Sequence, residues 1–149
     1  MWTALFAAAN LLALAGWILL IFLPRRPVAL AAVLYLGTGL LSAVYAVLLV
    51  LLATGLAGGG PDLAALDGWS LQSIRALFAS DAALVLGWIH YLAFDLFVGL
   101  WIARDADAKR FSRLAQAPVL AATFLAGPLG LFAWLAIRER RARASGRWQ

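Results

Sequence analysis

The sequence predicts an all-α integral membrane bundle of four transmembrane helices with one interfacial amphipathic helix. Three observations carry that expectation. Of 149 residues, 65% are hydrophobic and only 13% charged, too few polar groups to cover a water-soluble fold of this size. The apolar residues gather into runs long enough to cross a bilayer as helices. The net charge of +5 sits mostly on Arg25, Arg26, Arg110, Arg113 and the tail from Arg138 to Arg147, all flanking those runs. Such flanking charge is the mark of membrane topology and anionic-lipid contact, with nucleic acid a poor second. One membrane domain over 1–149 is expected, since four spans leave almost nothing for a separate soluble core.

The first span is expected at about 2–23, roughly 33 Å of helix. A cleaved signal peptide fits worse, because no basic residue precedes the run and Pro24-Arg25-Arg26-Pro27 ends it without a small-residue cleavage site. The second span, about 28–53, carries small residues four apart at Gly39/Ala43 and Ser42/Ala46. That spacing lets helix backbones approach, although chance explains it equally well in so Ala-rich a chain. Gly55 to Pro61 breaks the helix. Residues 62–79 are too polar to span and are expected to lie in the interface as an amphipathic helix, an ordered loop being the competing reading.

Ser80 or Asp81 can cap the third span, about 82–103. The fourth, about 114–137, holds Pro118 near its start and Gly127-Pro128-Leu129-Gly130 in its middle, where a kink or break is expected. A basic tail follows at 138–149. With four full spans the Lys/Arg count ties between the two sides. If the Gly-Pro segment turned back as a re-entrant hairpin, every Lys and Arg except Arg75 would share one face, which makes the hairpin a serious alternative.

Composition narrows the chemistry. The absence of cysteine removes disulfides, thiolate metal sites and cysteine nucleophiles. One histidine, His90, is too few for multi-histidine iron or bis-histidine haem. The lone lysine, Lys109, lies in a charged loop, away from where a Schiff-base ligand would sit. No metal and no cofactor is expected.

The third span alone places an acid deep in an apolar run. An Asp at the centre of a bilayer costs on the order of 3 kcal/mol, so it ordinarily faces protein or a polar cavity. Asp95 is the candidate site residue on that ground. At about 100° per residue it shares a stripe with Trp88, Tyr91, Gly99 and Ile102, while His90 falls with Phe94, Phe97 and Trp101 about 140° away. His90 and Asp95 therefore line opposite walls of one cavity or do separate work. Packing is the competing role: Asp95 could bond Tyr91, Asn10 or Thr123, and His90 could be a satisfied interfacial histidine. Arg104 and Asp105 stand where an interfacial ion pair would end the helix or guard a site entrance.

The block Trp88-x-His90-Tyr91-Leu92-Ala93-Phe94-Asp95-Leu96-Phe97-Val98-Gly99-x-Trp101-Ile102, with Arg104-Asp105 and the later Gly127-Pro128-x-Gly130-Leu131, resembles the small membrane-protein family named for the plant abscisic-acid-deficient-four protein. The resemblance implies a four-span protein connected, in plants, with forming neoxanthin from violaxanthin in the plastid envelope. Here the first span begins at Trp2, where the plant form carries a transit peptide, and the Ala/Leu/Arg-rich composition suggests a bacterial relative in the inner membrane. The implied ligand is a carotenoid or other long isoprenoid.

Opening a 5,6-epoxide to an allene needs an acid at the epoxide oxygen and a base at the neighbouring polyene carbon. A carboxyl in an apolar interior is favoured in its neutral form and can be the acid. On this expectation Asp95 donates and His90 accepts as catalytic residues, Trp88, Tyr91, Phe94, Trp101 and Asn10 line the substrate slot, and Arg104 and Asp105 form the entrance. Two other functions compete. A non-catalytic binding or assembly subunit would tolerate isosteric change at Asp95, and a small proton-coupled transporter would need a water path to it. A homo-oligomer or a membrane-enzyme partner is compatible with each.

Overall fold

A computed structural model describes residues 1–57 and 70–144, and every regular element among them is helical. Helix α1 (Trp2–Phe22) turns through the short loop 23–26 into α2 (Pro27–Ala53). Pro27 opens α2 where its missing N–H costs nothing and its fixed φ suits a helix start. Then come α3 (Leu71–Leu77), α4 (Asp81–Ala108), α5 (Arg113–Leu125) and α6 (Gly127–Ala144). Helices α1, α2 and α4, of 21, 27 and 28 residues, are long and apolar enough to cross a membrane.

Of the interfacial segment expected over 62–79, residues 62–69 lie outside the described part, as do 58–61 of the linker and 145–149 of the tail. The remainder forms α3, whose Ser70 hydroxyl accepts from the Ser73 N–H at 3.1 Å. Ser80 caps α4 in the same way, accepting from Ala83 N–H at 3.2 Å.

Helices α1, α2 and α4 meet around Leu96, which is fully buried. A Cβ added at Gly16 of α1 or at Gly37 of α2 would stand 2.8 Å from a Leu96 methyl, so both backbones come in against that side chain. Gly99 of α4 admits the Trp17 ring just as closely. The contact glycine of α2 is thus Gly37. The Gly39/Ala43 spacing that marked a possible contact face in the sequence lies on the exposed side of the helix. Gly37 and Gly39 stand about 200° apart around the helix, so a contact made through one turns the other outward.

The single fourth span expected at 114–137 is replaced by two helices. With 13 residues, α5 extends about 20 Å, short of the roughly 30 Å hydrocarbon layer. The chain breaks at Ala126 (φ −155°, ψ 85°), since Pro128 has no N–H with which to carry on the ladder of α5. The amides of Leu129 and Gly130 turn to the Ala126 carbonyl at 2.9 and 3.2 Å and begin α6 afresh. Gly130 lies so close on Thr123 that a Cβ there would be 2.3 Å from the Thr123 nitrogen. The two helices form an antiparallel hairpin that enters and leaves at one end of the bundle.

Polar contacts fix that end. Arg113 donates to the Leu23 carbonyl at 2.9 Å, and Arg138 to Asp105 at 2.8 Å. Asp105 also accepts from Lys109 at 2.9 Å and from the Trp134 indole at 3.1 Å. The Arg25 side chain, only 4% exposed, bonds Asp107 at 2.8 Å, the Ala103 carbonyl at 3.1 Å and the Gln116 side-chain oxygen. Gln116 in turn donates to Asp107 and to the Phe111 carbonyl. Between α4 and α5, Arg110 takes a left-handed conformation (φ 57°) and Phe111 N–H reaches back to the Ala106 carbonyl, a Schellman stop that reverses the chain.

The hairpin breaks the tie in positive charge: the loops after α1 and α4 and the end of α6 share one face, and Arg75 stands at the other. Reporters placed in the 109–113 loop and at the C-terminus are expected on the cytoplasmic side, with an N-terminal reporter opposite. Loop and C-terminal reporters on different sides would mean that 114–137 spans.

Candidate functional site at the hairpin tip

On α4 the stripe Trp88, Tyr91, Asp95, Gly99 and Ile102 turns towards α1 and the hairpin, as a helical rotation of about 100° per residue requires. Asp95 is 9% exposed. The tip of the hairpin rests on it: a Cβ at Gly127 would fall 2.0 Å from Asp95 Oδ1 and 2.9 Å from Oδ2. Only glycine lets the backbone come this near. The start of α6 also brings its positive dipole end to the carboxyl. The Tyr91 hydroxyl, one turn earlier on α4, lies within interaction range. Oδ2 is buried and has no hydrogen-bond partner among the described residues.

Beyond the tip the hairpin gives no cover, and α1 and α4 carry a polar and aromatic cluster there. The Trp88 indole donates to Asn10 Oδ1 at 3.2 Å, and Asn10 Nδ2 donates to the Phe6 carbonyl at 2.7 Å. Trp88 packs on Phe6 and Tyr91 with ring centroids 5.5 Å apart in both pairs. Trp88 is 38% exposed and Tyr91 half-buried. Asp95 therefore lies one turn beyond Tyr91 and two beyond Trp88 on the face of α4 that meets α1 and the start of α6.

The other expected residues fall elsewhere. His90 is exposed on the side facing α2, stacked on Phe94 at 4.6 Å and beside Tyr45 at 5.4 Å. Phe94 and Trp101 share that outward face with it, Phe94 being 58% exposed. His90 and Asp95 thus occupy separate faces of α4. Arg104 is exposed and forms no pair with Asp105, whose partners are Lys109, Trp134 and Arg138. Asp105 stands ten residues from Asp95, about 15 Å along the helix, and holds the hairpin at its base. Thr123, considered as a partner for Asp95, gives its hydroxyl to the Val119 carbonyl at 2.8 Å.

Gly127 is the site residue that the sequence marked only as a kink. The Gly-Pro pair was visible, but its contact with Asp95 depends on the hairpin closing. Among the described residues no three His, Asp or Glu side chains gather as a metal-ligand set.

Three helices long and apolar enough to cross a membrane, the third carrying a buried carboxyl met by a broken helical hairpin, mark an all-helical membrane protein. The family described as ABA DEFICIENT 4-like matches residues 4–134, and the chain belongs to it. No curated protein and no solved structure matches the chain.

Gly127→Ala is expected to lower stability by about 1–3 kcal/mol through overpacking, read as thermal unfolding in detergent. Adding Asp95→Ala should restore part of the loss, because the two residues touch. Strictly additive losses would show that they do not.

Proposed function

We propose that this protein acts on a carotenoid or other long isoprenoid from within the bilayer, with Asp95 as proton donor. The observation that carries this reading is the buried Asp95 carboxyl at the hairpin tip, one of whose oxygens has no hydrogen-bond partner among the described residues, with Tyr91 and Trp88 one and two turns away on the same stripe. Such a group is costly to retain in an apolar interior and is a functional candidate by default. Family membership supports the substrate class through the role of the plant namesake.

For an epoxide substrate the steps balance without any added reagent. The neutral carboxyl gives its proton to the epoxide oxygen, and the carbon–oxygen bond opens. Loss of a proton from the neighbouring polyene carbon then completes the allene and leaves a hydroxyl. His90, on the far face of α4, is poorly placed to take that proton. The Asp95 carboxylate formed in the first step, with the Tyr91 hydroxyl beside it, is the acceptor on the same face. Trp88 and Tyr91 offer flat aromatic surface for a conjugated chain. In this reading the bilayer is a bacterial inner membrane, and the basic loops keep the hairpin on its cytoplasmic side.

One observation favours a second reading. A half-membrane helix whose N-terminus meets an intramembrane acid also suits a proton-coupled carrier, and proton flux into liposomes containing the purified protein would distinguish it.

In a carotenoid-producing host, Asp95→Asn is expected to abolish the change in pigment profile caused by the wild type, by at least about 100-fold if general acid catalysis is lost. His90→Ala is expected to keep it. An unchanged profile with Asp95→Asn removes the catalytic reading, and loss with His90→Ala returns histidine to the mechanism.

A further inference from the structure

A different face of α4, turned away from Asp95, borders a cavity of about 240 Å³ lined by Thr38 and Ser42 of α2 and by Ala93, Phe94 and Phe97 of α4. It opens where Phe94 and Phe97 are themselves exposed, on the outer surface of the bundle. Thr38 belongs to the π-helical stretch Val33–Gly39, a kind of turn that recurs at functional sites. Thr54 and Thr123 each give their hydroxyl to the carbonyl four residues earlier, both at 2.8 Å, as helical threonines do. The Thr38 hydroxyl is buried and has no partner among the described residues.

We infer that this cavity binds the compact alicyclic end of a membrane-dissolved molecule carrying one hydroxyl or carbonyl oxygen. The height follows from the lining: Thr38 to Ser42 and Ala93 to Phe97 each span one turn, about 6 Å. That height and volume suit a single ring. The volume also falls below the roughly 300–1,000 Å³ of sites that enclose a whole ligand, so the rest of the molecule lies outside, along the exposed side of α4. Phe94 and Phe97 supply the apolar walls. Thr38 supplies the polar recognition, because a turn about χ1 moves its hydroxyl to another staggered position and breaks no hydrogen bond among the described residues in doing so. Ser42 adds a second hydroxyl at the mouth. The inference is independent of the chemistry proposed for Asp95, which occupies another face of the same helix.

The test uses the full chain in lipid nanodiscs, with empty nanodiscs as the partition control, and three ring probes of like shape: menthol, menthone and p-menthane. Saturation-transfer NMR reads binding. Menthol or menthone is expected to bind roughly 3- to 10-fold more tightly than p-menthane, the discrimination one hydrogen bond gives, and the better of the two identifies the oxygen type. Thr38→Val, close to isosteric, should bring that probe down to the p-menthane level, while Thr38→Ser should keep the preference. Ser42→Phe should fill the cavity and abolish binding of all three. Circular dichroism verifies that each variant keeps its helices. Equal binding of the three probes to wild type, a preference that survives Thr38→Val, or binding that survives Ser42→Phe overturns the inference, as does the absence of binding above the empty-disc control.

Discussion

Lipid gives a broken backbone nothing to bond to, so a helix can stop and restart at mid-membrane depth only where protein covers the break. That constraint governs this molecule. The break at Ala126 is met by α4, and the contact is made through a glycine set directly on a carboxyl. Had Gly127 carried a side chain, the tip would stand off from Asp95 and leave the break less covered by protein. Conversely, an apolar residue at 95 would leave the start of α6 without a negative group at its positive dipole end. The burial of Asp95 and the existence of the hairpin are one arrangement seen from its two sides.

Each end of the hairpin has its own means of attachment. The tip is held by close packing in an apolar layer, and the base by ion pairs at the boundary, where Asp105 gathers Lys109, Trp134 and Arg138. Arg25 does similar work between the α1–α2 loop, the end of α4 and the start of α5. Buried charge of this kind contributes little net stability compared with apolar packing, but removing one partner leaves the other uncompensated. It therefore favours one registry of the hairpin on α4 over its neighbours. The depth at which Gly127 stops, and so its match to Asp95, depends on where Arg138 is anchored.

Much of this was legible in the sequence. The three long helices follow from uninterrupted apolar runs, and the Ser80 cap from its place ahead of one. The separation of His90 from Asp95 follows from their five-residue spacing on a helix. What stayed hidden has physical causes. The run from Leu114 to Ile137 has the length and hydropathy of one span, and composition cannot distinguish a kink from a full reversal. The charge count hinted at the reversal only because the opposing arrangement came out even. Small residues line more than one face of α2, so the spacing at Gly39 and Ala43 could not show that Gly37 is the one that meets Leu96. Arg25 read as a charge flanking a span, and its union with Asp107 and Gln116 is tertiary.

Because α5 and α6 reach only to mid-depth, the bundle presents five helical cross-sections to one leaflet and three to the other, counting the described residues. Its profile is that of a wedge, broad on the positively charged side and narrow on the opposite one. Among the described residues, that taper leaves the flank of α4 beyond Gly127 open to approach from the side.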